Sequence, residues 1–112
     1  MKNNLGPLPW IHTEMYTNFK TPMVLVNYDI LLHNLQRMSE FAQKQQVLLR
    51  PHIKTHKTAE IAQLQLEYGA AGFTVAKISE AEALVASANF SNSRLSILIA
   101  FPVIGDLSLI HI

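Results

Sequence analysis

The stretch that decides the fold is residues 47–57, VLLRPHIKTHK. It sets an apolar run, Val47, Leu48 and Leu49, against three cations, Arg50, Lys54 and Lys57, and two imidazoles, His52 and His56, around a single proline. Side chains alternate along a strand, so Leu48, Arg50, His52 and Lys54 would share one face and Val47, Leu49, Pro51 and Ile53 the other. In an α/β barrel the apolar set suits the face that meets the helices, and the polar set points inside. Lys54 then stands at the carboxyl end of the strand with the loop 55–57, where α/β folds place ligands and catalytic groups. Pro51 cannot donate to a ladder, which argues for a first strand, a bulge or a functional distortion.

The flanking sequence repeats the same architecture. Downstream, residues 58–68 read as a helix with Ile61, Leu64 and Tyr68 on its inner face, and 69–72 as the turn that stops it. Residues 73–76 form a short apolar strand, Ser79 and Glu82 pair as a capping box, and Ala81, Leu84, Val85 and Ala88 make the next helical stripe. Residues 95–101 are a third buried strand. Upstream, Met23 to Val26 have strand composition, and Asp29 is the expected N-cap of an amphipathic helix over 30–45. That helix carries Leu31, Leu35, Met38 and Ala42 in one stripe, with Phe41 beside it, as core positions. Residues 1–21, with Gly6, Pro7, Pro9 and Trp10, read as an irregular arm. Apolar strands separated by helices demand a parallel sheet covered by its crossovers, so the class is α/β.

Composition narrows the function. The 112 residues are 49% hydrophobic and 15% charged with a net charge of +1, the profile of a globular domain and not of a nucleic-acid binder. No apolar run approaches the roughly 20 residues of a membrane span, and the N-terminus lacks the order of a secretory signal, so a cytoplasmic location is expected. Cysteine is absent, which removes disulfides and thiolate metal sites. His52 and His56 are four apart, a spacing that suits zinc on a helix, but they straddle a strand end with no carboxylate between them, so no metal ligand is assigned.

A lysine inside such a site has one distinctive use. Its neutral amine can attack an aldehyde, and Arg50 nearby or partial desolvation would lower its pKa in the required direction. Pyridoxal phosphate is the usual aldehyde. His52 is expected to orient or hydrogen-bond near that cofactor, and Arg50 either to influence it or to hold a salt bridge inside the barrel. Lys57 reads as a solvated charge, Lys77 as a loop residue, and Glu80 and Glu82 as first-turn residues favoured by the helix dipole.

The run RPHIKTHKTAEIAQLQLEYGAAGFTVAKISEAEAL, followed by ILIAFPVIG, resembles the N-terminal part of the fold-type III pyridoxal-phosphate enzymes. The likeness is to the D-threonine aldolase and D-serine dehydratase branch of the alanine racemase-like superfamily, and it covers about residues 21 to 106. It implies a (β/α)8 TIM-like barrel with a C-terminal β-domain, to which the 23–26 strand would also belong. It also implies pyridoxal phosphate on Lys54 as a Schiff base, with His52 and Arg50 as cofactor-binding neighbours. The implied activity is a lyase acting on D-amino acids with a β-hydroxyl, usually with a divalent metal, in a homodimer. A racemase and a non-catalytic cofactor carrier are the alternatives. Such a barrel needs about 250 residues, so this chain is read as truncated after about three strands, with 22–106 as the start of the barrel domain and no activity alone. The closing LSLIHI matches the translation of CTGTCTCTTATACACATC, a transposon end used in sequencing libraries, and 107–112 are read as an adapter artefact.

Overall fold

The computed structural model describes residues 18–90 and 94–102. The expected arm around Trp10 and the LSLIHI terminus lie outside the described residues.

Helix α1 spans Tyr28–Lys44. Its N-cap is Asn27, whose Oδ1 accepts from the Ile30 amide at 3.0 Å, and not Asp29, which falls in the first turn where its charge suits the dipole. The helix closes with Gln46 N–H bonded to Gln43 O and Val47 N–H to Ala42 O, with Gln46 at φ 56°. This is a Schellman closure made by a non-glycine residue. Ala42 is buried and Leu31 and Leu35 are half-buried, whereas Met38 and Phe41 are exposed, contrary to their expected core role. No described element covers that side of α1 enough to bury them.

Residues 23–26 are not a strand: they lie unpaired, with Val24 92% exposed, because no described strand stands beside them. Residues 47–52 run extended beside β1 (Phe73–Val75) but form only a partial ladder. Ala71 and Thr74 amides donate to Leu49 O and Pro51 O at 2.8 Å, and His52 bridges Thr74 in parallel. Pro51 has no N–H to return, which is the physical reason the expected strand stays incomplete. On the other side β1 pairs in parallel with β2 (Ile97–Ile99) in the register Phe73 to Ile97, Thr74 to Leu98 and Val75 to Ile99.

Helices α2 (Ala59–Glu67) and α3 (Ile78–Ala86) connect these segments as crossovers. Gly69, at φ 93°, ends α2 in a second Schellman closure, with Gly69 N–H to Leu66 O and Ala70 N–H to Gln65 O. Ile53, Ala62, Phe73, Val75, Ala81, Leu84 and Phe90 form the core between helices and sheet. Phe73 and Phe90 meet edge to face at 6.1 Å. The α2 residues packed on this core are Ala59, Ala62 and Leu66, and not the expected Ile61, Leu64 and Tyr68. Fully buried Ala62 lets the helix approach the sheet, while Tyr68 lines a cleft with Leu35, Met38, Leu49 and Pro51 next to α1. Leu49, Pro51 and Ile53 thus face the helices, as the alternation predicts, whereas Val47 of the same expected set is exposed.

Among the described residues, no element covers the other face of the sheet. Leu48 is 87% and Leu98 55% exposed, although parallel sheets ordinarily bury both faces.

Candidate functional site

The register arranges the open face in rows. Extending the His52–Thr74 bridge and the Thr74–Leu98 pair back by two residues places Arg50, Gly72 and Ser96 in one row, while Ala76 and Ala100 follow the two strands at the carboxyl end. Lys54 is not a strand residue: it sits in the 3-10 turn Ile53–Thr55, immediately beyond the last bridge. Among the described residues its Nζ carries no hydrogen bond or ion pair, and the residue is exposed.

Two histidines hold this turn by the same device. His52 Nδ1 accepts from the Lys54 amide at 3.3 Å, and His56 Nδ1 accepts from the Thr58 amide at 3.1 Å. Thr58 is the N-cap of α2, yet its Oγ1 lies 3.3 Å from the same His56 nitrogen and makes no cap bond. His56 Nε2 and Gln65 Oε1 are both buried without a hydrogen bond of good geometry. Burial holds the His56 pKa below the ordinary imidazole value, against smaller opposing effects of the Gln65 side chain and the Thr58 amide.

Arg50 makes no ion pair among the described residues, so the expected internal salt bridge is replaced by bonds to neutral acceptors. Nη1 donates to Ser96 O at 2.9 Å and Phe73 O at 3.3 Å, and Nη2 donates to Ser96 Oγ at 2.8 Å. The planar guanidinium therefore ties the 47–52 segment across β1 to the amino end of β2, one full row and more below Lys54.

Lys57 is paired, not merely solvated. Its Nζ lies 3.4 Å from Glu80 Oε1, while Glu80 Oε2 accepts from the Ala76 amide at 2.7 Å. Glu80 occupies the third position of α3 and reaches back past its N-cap, Lys77, to the preceding amide, so this contact stands in place of the expected Ser79–Glu82 capping box, and Lys77 makes no side-chain cap bond. The helix starts at Ile78, two residues earlier than a Ser79 cap would allow. The Ala76 amide, followed by Lys57, holds the Glu80 pKa below the ordinary carboxylate value, opposed by burial. Gly72, Ser96 and Glu80 were not legible as site neighbours, because sequence spacing carries no information about cross-strand partners. Glu80 alone had a local signal, its place in the first turn. Lys77 is exposed and lines a shallow groove with Lys57, Thr58 and Ser79 between the starts of α2 and α3.

Residues 26–107 match the family described as alanine racemase, N-terminal domain, and the chain belongs to that family. Its parallel strands and crossover helices are part of that α/β domain. The chain is 39% identical over 67 residues to D-threo-3-hydroxyaspartate dehydratase of Delftia sp. (strain HT23) and 42% identical over 67 residues to D-threonine aldolase of Arthrobacter sp.. Each alignment covers 60% of this chain and 18% of the relative. D-serine dehydratase of Dictyostelium discoideum is 36% identical over 91 residues, 77% of this chain and 22% of that protein. Among solved structures, D-threonine aldolase from Filomicrobium marinum superposes with a TM-score of 0.57 at 42% identity, over 59% of this chain and 18% of that one. A histidine-to-alanine mutant of D-threo-3-hydroxyaspartate dehydratase superposes with a TM-score of 0.68 at 33% identity, over 78% and 21%. The chain thus spans about a fifth of the length of these relatives.

Proposed function

We propose that this chain is the lysine-bearing, N-terminal part of a pyridoxal-phosphate-dependent lyase that acts on D-amino acids with a β-hydroxyl group. The observation that carries the reading is Lys54: an exposed amine without a partner among the described residues, on a turn fixed by His52, at the carboxyl end of a parallel sheet. The relatives' names support the substrate class.

The residues present fit the cofactor. Lys54 would hold it through Nζ, which is unencumbered among the described residues, and the open face beside Thr74, Leu98 and Ala100 leaves room for a planar ring. Bound there, pyridoxal phosphate supplies an electron sink for cleavage at the α-carbon of an amino acid. His52 positions the lysine by accepting from its backbone amide, which requires the tautomer with Nδ1 unprotonated. Arg50 fixes the row beneath the cofactor, and this is the sense in which it belongs to the binding site. The divalent metal expected of such a lyase would draw its ligands from outside this sequence. A cytoplasmic homodimer is the assembly proposed; no helix among the described residues is long and apolar enough to cross a membrane.

Expression of the full-length gene product with pyridoxal phosphate and D-threonine or D-serine tests the reading. Glycine from D-threonine marks an aldolase and pyruvate from D-serine a dehydratase. Neither product, with loss of optical activity from a D-amino acid instead, would assign the racemase chemistry that the family description favours. Cofactor uptake without any turnover would assign a carrier.

A further inference from the structure

We propose that Glu80 is a positioning residue for Lys54, a role that rests on the reading of Lys54 as the cofactor lysine. Its two carboxylate oxygens serve two different loops. Oε2 accepts from the amide of Ala76, the first residue past β1. Oε1 faces Nζ of Lys57, the residue just past the His56 cap of the turn carrying Lys54. Lys57 itself stands at φ 53°, a left-handed conformation that a lysine adopts at a cost, and its amide bonds back to Ile53 O at 2.8 Å.

The Lys54 turn is therefore held at both ends. His52 Nδ1 grips it at the Lys54 amide, and Glu80 grips it at Lys57 while referencing it to the end of β1. The Glu80 side chain is only 9% exposed, so its pairing is shielded from solvent on the carboxylate side, although the Lys57 side chain is 60% exposed. The Ala76 amide, and after it Lys57, keep this carboxylate ionised at neutral pH. A group that fixes a reactive amine through its loop acts on how fast that amine meets an aldehyde, and the effect is local to that amine.

The test follows uptake of pyridoxal phosphate at each lysine of the full-length gene product, trapped with borohydride and read by peptide mass. Lys44, exposed at the far end of α1, is the internal control. Glu80→Ala removes both contacts, Glu80→Gln keeps an oxygen for the Ala76 amide, and Lys57→Met removes only the ion pair. The expected result is a roughly ten-fold slower modification of Lys54 in Glu80→Ala, the scale of losing an orienting partner, with intermediate rates in the other two and Lys44 unchanged. Wild-type rates at Lys54 in all three variants overturn the positioning role alone. A loss shared by Lys44 in every variant also overturns it, since the effect then belongs to the whole fold. Failure of wild-type Lys54 itself to be modified overturns the cofactor reading, and this role with it.

Discussion

The Arg50 guanidinium occupies the space that a side chain at position 72 would need. A Cβ on Gly72 would lie 2.6 Å from Arg50 Nη1 and would overlap the Ser96 carbonyl oxygen. Arg50 can swing aside, but Ser96 O is main chain held by the Phe73 amide at 2.8 Å. Gly72→Ala is expected to destabilise the fold by about 1–3 kcal/mol, the usual scale of overpacking. Urea denaturation of the variant checks this; an unchanged midpoint would mean the three segments are not pinned where the arginine ties them.

Gln46 is a position where the natural residue is not the best one. It closes α1 at φ 56°, where a Cβ is disfavoured. Gln46→Gly relieves that strain while adding freedom to the unfolded chain, for a net gain of roughly 0.5–1 kcal/mol. The denaturation midpoint should rise; a fall would show that the Gln46 side chain has a compensating partner.

Stability should fall with acid in a window set by His56. Its pKa is lowered in the folded state, so the unfolded chain binds the proton more readily. The full contribution is present above the ordinary value of 6.5 and is lost as pH drops from there through the lowered folded value. Glu80 acts in the same sense further down, below its ordinary 4.5. His56→Gln should flatten melting temperature against pH just below 6.5, and a slope unchanged by the substitution would place the titration elsewhere.

The alternation made the sheet face legible over residues 49–53, where Leu49 and Pro51 are half-buried, Ile53 is buried and Arg50 is exposed, but not at Val47, which is exposed like Leu48. The same period concealed the 3-10 turn, because Ile53 can satisfy a buried position in either conformation. Asp29 and Asn27 are both good caps, and only the backbone geometry chose between them. The place of Lys54 just past the end of an extended segment was readable from the sequence. The reach of Arg50 to Ser96, 46 residues away, was not, because no local rule links them.

The 112-residue chain by itself should leave much apolar surface uncovered. Val24, Leu48, Leu98 and Phe101 are each more than half exposed. Apolar surface of this kind, with a β2 edge unpaired among the described residues, favours association. Light scattering should show aggregation rising with concentration, together with binding of a hydrophobic dye; a monomer at high concentration that excludes the dye would show that these residues find cover within the chain.

The central claim is that Lys54 carries the cofactor, and the visible absorption of bound pyridoxal phosphate tests it most directly. The full-length gene product should show that band after removal of free cofactor, and Lys54→Ala, with an unchanged circular dichroism spectrum, should lack it. A band of equal strength in Lys54→Ala would contradict the account and move the aldehyde to another lysine.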